Sequence, residues 1–218
     1  MKKLVVFDLD GTLVDSIYDL ADCADTALRK NNLPENTLQE YYSFVGNGME
    51  SLIRRSMKAQ GGNDELYLKV RGDFDREYKA HCNDKTCAYE GVAQLLSQLA
   101  EKGIDTAVLT NKAHEFVGGI LSKCFPEHKF RVFWGQQEGI ERKPSPQGLL
   151  KMIDELGYTK EDCVYVGDSE VDVKTADNAE VDLVCVLWGF RSKEQLVESG
   201  AKLMVNTAEE LMQTIITL

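Results

Sequence analysis

The stretch LVVFDLDGTLVD, residues 4–15, decides how the rest of the chain is interpreted. Its first four residues are apolar and rich in β-branched and aromatic types, which predicts a buried strand near the N-terminus. Asp8 and Asp10 follow, and on an extended backbone their carboxylates point the same way. Like charges at the end of a buried strand require a cation between them or a reaction that uses them. The alternative interpretation is an ordinary Asp-Gly turn, since Gly11 allows a sharp bend.

The size and the charge of the chain limit what it can do. Its 218 residues allow one good-sized core, or a core with a small second domain. The formal net charge of -11 makes nucleic acid and anionic membranes poor partners, so we expect neither. If the substrate is an anion, a local positive group has to bind it.

The cysteines and the apolar runs are typical of a reduced, cytoplasmic protein. The 6 cysteines are scattered without a CxxC pair, and the paired spacings of a zinc site are missing. Met1-Lys2-Lys3 is followed by Asp8 too early for an apolar export segment. The sequence contains no apolar run long enough to span a bilayer.

Apolar periodicity divides the chain into a helical part and an alternating part. Residues 16 to about 86 show helical spacing and no convincing strand. From residue 87 onward, strand patterns alternate with helical patterns. We predict strands at 104–110, 130–134, 163–166, 181–187 and 202–205, and helices that include 37–44, 64–81, 113–124 and 145–156.

This alternation predicts an α/β fold with a doubly wound parallel sheet. Residues 1–15 and 87–218 then form the α/β core, and residues 16–86 form an all-helical module inserted after the first strand. In such a sheet the active site lies beyond the carboxyl ends of the strands. Polar residues that follow predicted strands or open the next helices are therefore expected to meet there: Asp8, Asp10, Thr110, Asn111, Lys143 and Asp168.

The carboxylates at this edge imply a divalent cation. Asp8, Asp10, Asp168 and Asp172 cannot all be ionised at one site without a positive charge among them. Oxygen ligands suit a hard ion, and Mg²⁺ fits because it retains waters and a substrate phosphate in its shell. These four aspartates are the candidate metal ligands.

Three further residues provide what phosphoryl transfer needs besides the metal. Thr110 offers a hydroxyl and Asn111 a backbone N–H to phosphoryl oxygens, and Lys143 offers the missing positive charge. A carboxylate can be the nucleophile, and a second carboxyl two residues later can act as general acid and then base. Each residue also has a plainer interpretation: a helix cap for Thr110, a solvated loop side chain for Lys143, and a helix start for Asp168 and Asp172. Their joint occurrence at successive strand ends favours the catalytic interpretation.

Four segments resemble the motifs of the haloacid dehalogenase superfamily, in the same order and across essentially the whole chain. They are Asp8-Leu9-Asp10-Gly11-Thr12, Thr110-Asn111, Lys143-Pro144 and Gly167-Asp168-Ser169-Glu170-Val171-Asp172. The resemblance implies that Asp8 is a nucleophile that forms an aspartyl-phosphate. It also implies that Asp10 is the acid and base and gives a backbone oxygen to Mg²⁺. Because Asp10 is present, dehalogenase chemistry itself is not expected.

The same resemblance implies roles for the remaining motif residues. Thr110 and Lys143 hold the phosphoryl group. Asp168 is a metal ligand, which Asp172 supports directly or through water. The module at residues 16–86 is then a helical cap that closes over the site and excludes water.

Two segments are similar to the phosphoglycolate phosphatases of this superfamily, namely VGNGMESL at residues 45–52 and VLWGFR at residues 186–191. The similarity implies that the partner is a small phosphorylated metabolite, 2-phosphoglycolate, and we expect a monomer or a small homo-oligomer. Other sugar phosphates, nucleotides and pyrophosphate stay open as substrates, as does a sugar-phosphate mutase on the same scaffold. A non-catalytic binding protein is a third alternative, which the intact aspartate pair disfavours. Arg54 and Arg55 either reach a substrate carboxylate or are solvated.

Overall fold

A computed structural model describes residues 2–218, and 6 parallel strands form the main sheet. The strands are β1 (Leu4–Phe7), β2 (Val14–Asp15), β3 (Cys87–Ala88), β4 (Asp105–Ala113), β5 (Val132–Gln136), β6 (Cys163–Gly167), β7 (Asp182–Val186) and β8 (Met204–Val205). The helices are α1 (Ile17–Lys30), α2 (Leu38–Phe44), α3 (Gly48–Ala59), α4 (Asp64–His81), α5 (Val92–Glu101), α6 (His114–Cys124), α7 (Gln147–Glu155), α8 (Glu170–Ala179), α9 (Lys193–Glu198) and α10 (Ala208–Thr217). The sheet order is β5-β4-β1-β6-β7-β8, and every adjacent pair is parallel. The predicted α/β fold with a doubly wound parallel sheet is confirmed.

Strand β1 lies in the interior of the sheet and is buried on both faces. Val5 and Phe7 pack into one hydrophobic core, to which α5, α6 and α10 contribute. Leu4 and Val6 pack into a second core on the other face, with α7 and α8. Because successive side chains of a strand point to opposite faces, a strand covered on both sides has to be apolar throughout. The first polar side chain, Asp8, therefore comes only where the strand leaves the sheet.

Helices α1 to α4 lie between β2 and β3 and have a hydrophobic core of their own. Within it, the rings of Phe74 and Tyr78 stack with their centres 5.2 Å apart. The chain enters and leaves this helical segment side by side, because β2 and β3 form an antiparallel pair. The buried Asp19 carboxylate strengthens this junction by accepting hydrogen bonds from the amides of Lys85 and Thr86, at 2.9 and 2.8 Å.

The structure differs from the prediction in two strand regions that border the site. The sequence does not predict β2 and β3, because two residues are too few to show a period. Strand β4 runs to Ala113, beyond its predicted end at Thr110, and β5 begins at Val132 instead of residue 130. The longer pairing of β4 with β5 requires glycine at position 135. Any other residue there would place its Cβ only 2.4 Å from the Lys112 carbonyl oxygen.

The longest of the described helices is α4, which has 18 residues and carries charged side chains along its length. No helix within residues 2–218 has both the length and the hydrophobicity that a bilayer crossing requires.

Candidate active site

The turn after β1 brings Asp8 close to Asp168, which follows β6. The Asp8 amide donates to the Val166 carbonyl oxygen at 2.8 Å, so the ends of the two strands stay together. Gly11 has a φ of +87°, and a Cβ on it would lie 2.4 Å from a carboxylate oxygen of Asp168. Glycine is required here for both reasons. The Thr12 hydroxyl then donates to Asp168 Oδ1 at 3.1 Å, which fixes the carboxylate against the turn.

Lys143 lies between Asp8, which follows β1, and Asp172, which lies in the first turn of α8. Its Nζ is 2.9 Å from Asp8 Oδ1 and 2.7 Å from Asp172 Oδ1. It also donates to the Tyr165 hydroxyl at 2.8 Å, and that hydroxyl donates to Asp172 Oδ1 at 2.9 Å. All four side chains are buried. The ammonium thus offsets part of the negative charge that the fold concentrates at this point.

Burial makes the remaining negative charge costly. It raises the pKa of Asp8 to about 7, although the Lys143 ammonium opposes the shift. Burial, together with the charges of Asp172 and Asp8, raises the pKa of Asp168 well above its usual range. At Asp172, burial is outweighed by the Lys143 ammonium, so the pKa of this carboxyl is lowered. One lysine does not balance three buried carboxylates, and the group lacks positive charge.

The residues of this group fit a divalent metal ion. Carboxylate oxygens of Asp8, Asp168 and Asp172 lie within 4.8 Å of one another, and an all-oxygen set suits Mg²⁺. Asp8 Oδ1 is buried and lies 2.9 Å from the Lys143 ammonium, and no other described residue donates a hydrogen bond to it. Asp172 is different, because its Oδ1 accepts from two side chains and its Oδ2 from the Ser169 hydroxyl and two backbone amides. Asp8 therefore has free capacity to bind a metal, whereas the oxygens of Asp172 are already engaged in positioning its neighbours.

The Asp10 carboxylate lies apart from this group. Its two oxygens are 2.9 and 3.1 Å from Lys112 Nζ, and the Ser16 hydroxyl donates to Oδ1 at 2.5 Å. A contact between Asp10 and a metal through its backbone oxygen stays a prediction. Lys112 is not predicted from the sequence, since most lysines are solvated and this one belongs to no motif. Its place at the end of β4, directly after Thr110 and Asn111, was the signal that could have identified it.

The Asn111 side chain connects β4 to two loops. Its Oδ1 accepts from the Lys143 amide at 2.9 Å, and its Nδ2 donates to the Lys143 carbonyl oxygen at 3.1 Å. The same Nδ2 donates to the Gly46 carbonyl oxygen at 3.2 Å, which reaches the helical segment. Thr110 lies beside it, and its hydroxyl oxygen accepts from the Lys112 amide at 3.2 Å. The sequence predicts a role only for the backbone N–H of Asn111, whereas in the structure its side chain also positions the Lys143 loop.

A cavity of about 40 Å³ borders the two aspartates that follow β1. Thr110 and Asn111 line it from the sheet, while Leu20, Leu52 and Tyr78 line it from α1, α3 and α4. A single water needs roughly 10–15 Å³ on this measure, so the cavity has room for only a few non-hydrogen atoms. The helical segment therefore leaves little space beside the carboxylates.

Side chains of the core also hold the turn between α2 and α3. Arg191 is buried and donates to two carbonyl oxygens at the end of α2, that of Val45 at 2.7 Å. Glu170 accepts from the Arg191 guanidinium at 2.7 Å. Farther out, the exposed Arg142 donates to the Asn47 carbonyl oxygen at 3.4 Å. These contacts keep the helical segment against the carboxyl edge of the sheet.

Arg54 and Arg55 do not line this cavity. The exposed Arg54 pairs with Glu50 and Asp64, at 3.0 and 3.1 Å. Arg55 donates to the Ser43 carbonyl oxygen at 3.0 Å. Of the two alternatives for these arginines, the structure favours the one without a substrate contact.

Known proteins resemble this chain in sequence and in fold. A family model described as haloacid dehalogenase-like hydrolase matches residues 5–186. A phosphoglycolate phosphatase of Pseudomonas savastanoi pv. phaseolicola is 33% identical over 216 residues, which are 97% of this chain and 79% of the relative. A crystal structure from Lactobacillus delbrueckii subsp. bulgaricus, provisionally assigned as a phosphoglycolate phosphatase, has a TM-score of 0.91 at 33% identity and 99% coverage of both chains. A predicted phosphoglycolate phosphatase from Haemophilus somnus has a TM-score of 0.90 at 27% identity and 98% coverage of both.

Proposed function

This chain belongs to the haloacid dehalogenase-like hydrolase family, and we propose that it is a Mg²⁺-dependent phosphatase that hydrolyses a small phosphomonoester. The observation that carries the proposal is the buried group of Asp8, Lys143, Asp168 and Asp172. Burying three carboxylates beside a single ammonium lowers the stability of the fold, so this group is not explained by folding alone. Such a group is useful where a metal and a transferring phosphoryl group have to be bound together.

The first step forms an aspartyl-phosphate. An oxygen of Asp8 attacks the phosphorus atom, and the bond from phosphorus to the ester oxygen breaks. The departing alkoxide takes a proton from the carboxyl group of Asp10, so the leaving group departs as a neutral alcohol. Lys112 and Ser16 support this step by holding the Asp10 side chain in one orientation.

The second step returns the enzyme to its starting state. Asp10, now ionised, takes a proton from a water molecule, whose oxygen attacks the phosphorus atom. The bond between phosphorus and the Asp8 oxygen breaks, and inorganic phosphate leaves. Asp8 is again a carboxylate and Asp10 again carries its proton, so one ester and one water give one alcohol and one phosphate.

Donors around Asp8 stabilise the transferring phosphoryl group. The Lys143 ammonium lies 2.9 Å from the Asp8 carboxylate and is therefore within reach of oxygens on a phosphoryl group attached there. Thr110 contributes its hydroxyl and Asn111 its backbone N–H. Because these donors are fixed before the substrate arrives, they do not have to reorganise during the reaction.

Asp8, Asp168 and the backbone oxygen of Asp10 would hold Mg²⁺, and Asp172 supports them through the turn at Ser169. When bound, the ion neutralises the carboxylates and polarises the phosphoryl group. The acceptor capacity that remains on Asp8 Oδ1 beside Lys143 and the spacing of the three carboxylates support this assignment.

The helical segment, residues 16–86, acts as a cap that closes over the site and excludes water. The small cavity beneath it favours a short leaving group. Relatives named phosphoglycolate phosphatase support 2-phosphoglycolate, a small phosphorylated metabolite of the cytoplasm, as the substrate.

Phosphate release from a panel of phosphomonoesters tests the proposal. With Mg²⁺ present, 2-phosphoglycolate is expected to have the highest kcat/KM, ahead of sugar phosphates, nucleotides and pyrophosphate. The Asp8→Asn variant, which keeps the shape but loses the nucleophile, provides the control for a contaminating phosphatase. Absence of phosphate release from every compound would contradict the proposal, and isomerisation of a hexose phosphate without release would indicate a mutase instead.

A further inference from the structure

Lys112 brings a buried positive charge to the cavity. Its Nζ lies against both oxygens of Asp10, and only 2% of its side chain is exposed. An ammonium has three N–H donors, so two contacts to Asp10 leave one donor unused. Lys112 lines the cavity that borders Asp8 from β4.

Tyr78 brings an unused hydroxyl to the same cavity. The side chain is fully buried in α4, and its ring centre is 5.1 Å from Lys112 Nζ. The Lys112 ammonium approaches the Tyr78 hydroxyl, but no described residue accepts a hydrogen bond from that hydroxyl. Buried hydroxyls in folded proteins nearly always have a partner, so an unpaired one in a cavity indicates a ligand that supplies it.

Apart from Thr110 and Asn111, whose donors are proposed to bind the phosphoryl group, the other side chains that line the cavity do not attract an anion. Leu20, Met49 and Leu52 close it with apolar side chains, and Asp8 and Asp10 repel negative charge. Among the described lining residues, Lys112 is the single cation. Lys143 is engaged with Asp8 and Asp172, is proposed to bind the phosphoryl group, and is not among the residues that line the cavity.

We propose that Lys112 and Tyr78 form a subsite for a carboxylate that the substrate carries next to its phosphorylated carbon. The inference rests on the proposed phosphatase function and names the substrate class, which is a short phosphomonoester with a second anionic group. The Lys112 ammonium supplies charge and one N–H, and the Tyr78 hydroxyl supplies a second donor to the same carboxylate. Substrates with a neutral group at this place leave the Tyr78 hydroxyl unpaired and are therefore bound more weakly.

Calorimetric binding of two phosphonates tests the subsite without turnover. The first, 3-phosphonopropionate, has a methylene in place of the ester oxygen of 2-phosphoglycolate, and the second, propylphosphonate, has a methyl group in place of the carboxylate. The protein with Mg²⁺ is expected to bind the first at least about tenfold more tightly than the second, which corresponds to about 1.4 kcal/mol. Tyr78→Phe and Lys112→Met are expected to reduce this ratio to about threefold or less.

Tyr158→Phe is the matched control, because its hydroxyl bonds Asp105 at the start of β4, the other end of the sheet. This variant keeps the wild-type ratio. The Tyr78→Phe variant decides the question if Lys112→Met fails to fold, since it removes only an unpaired hydroxyl. An unchanged ratio in Tyr78→Phe overturns the subsite, as does equal affinity of the wild type for both phosphonates. Phosphate release from 2-phosphoglycolate is measured separately, so a failure of the phosphatase function is distinguished from a failure of the subsite.

Discussion

Lys143 determines the charge balance of the site, because it is the cation that contacts both Asp8 and Asp172. Its side chain is only 2% exposed, so water does little to screen these contacts. Removing the ammonium leaves two carboxylates buried beside the Tyr165 hydroxyl with no positive charge to compensate them. The same ammonium is proposed to bind the phosphoryl group, so its loss affects both folding and catalysis.

We expect Lys143→Met to lower kcat/KM for the best substrate by about 100-fold, the effect of losing one fixed donor to a charged transition state. The free energy of unfolding should fall by about 3 kcal/mol, because a buried ion pair has lost one partner. Steady-state kinetics and urea denaturation measure the two effects. Lys129→Met, at an exposed position, is the control and should change neither. A fully active Lys143→Met enzyme would contradict the role of this residue.

At the scale of single residues, the sequence predicted the location of those side chains that follow a strand or open the next helix. Asp8, Asp168 and Lys143 were expected at one edge, and the structure brings them to it. The partners of these residues were not predictable. Tyr165 has the apolar pattern of a core residue, and Lys112 resembles any lysine until the fold buries it against Asp10.

At the scale of elements, Arg191 joins the core to the helical segment. Its guanidinium joins Glu170 at the start of α8 to the carbonyl oxygens of Tyr42 and Val45 at the end of α2. The last carbonyl groups of a helix have no partner within it, so a side-chain donor satisfies them. Together with Asn111, this arginine holds the turn after α2 over the cavity.

We expect Arg191→Met to lower the free energy of unfolding by about 2 kcal/mol, since hydrogen bonds to a charged group are lost. Hydrogen exchange at residues 42–48 should become faster because the turn is released from the core. Arg142→Met removes an exposed arginine that contacts the same turn, and it should change the free energy of unfolding by less than about 0.5 kcal/mol. Equal exchange rates in the two variants would show that Arg191 does not hold the turn.

Element prediction succeeded where the periodic run was long and failed where tertiary contacts set the boundary. The predicted helix at 64–81 corresponds to α4, Asp64–His81. The extension of β4 to Ala113 depends on its pairing with β5, in which Gly135 packs on the β4 backbone. No local pattern in the sequence of β4 contains that information, because the cause lies in another strand.

At the scale of the whole molecule, the site forms only when the complete sheet is assembled. Its residues come from segments that are far apart in the chain and meet because β4, β1 and β6 are adjacent and parallel. Loops at the carboxyl ends of parallel strands converge, which is how one edge of the sheet collects Asp8, Thr110 and Asp168. The chain as a whole carries a net charge of -11, so binding of an anionic substrate depends on this local arrangement.

We expect Mg²⁺ to stabilise the whole fold by neutralising the carboxylate group. At about 100 times its dissociation constant, a ligand adds about 2.7 kcal/mol, which raises Tm by roughly 5–10 °C for a chain of this size. Thermal unfolding with and without Mg²⁺ measures the shift, and EDTA should stop hydrolysis reversibly. Asp168→Asn should lose most of the shift, whereas Asp177→Asn, an exposed position on α8, should retain it. A Tm that is the same with Mg²⁺ and with EDTA would contradict the proposed metal site.

The nucleophilic role of Asp8 is tested most directly by acid-quenching the enzyme during turnover and locating covalent phosphate by peptide mass spectrometry. The peptide containing Asp8 is expected to gain the mass of one phosphoryl group, and the same peptide of Asp8→Asn is expected to gain none. A wild-type enzyme that turns over without any phosphorylated aspartate, or an Asp8→Asn variant that keeps its activity, would contradict this role.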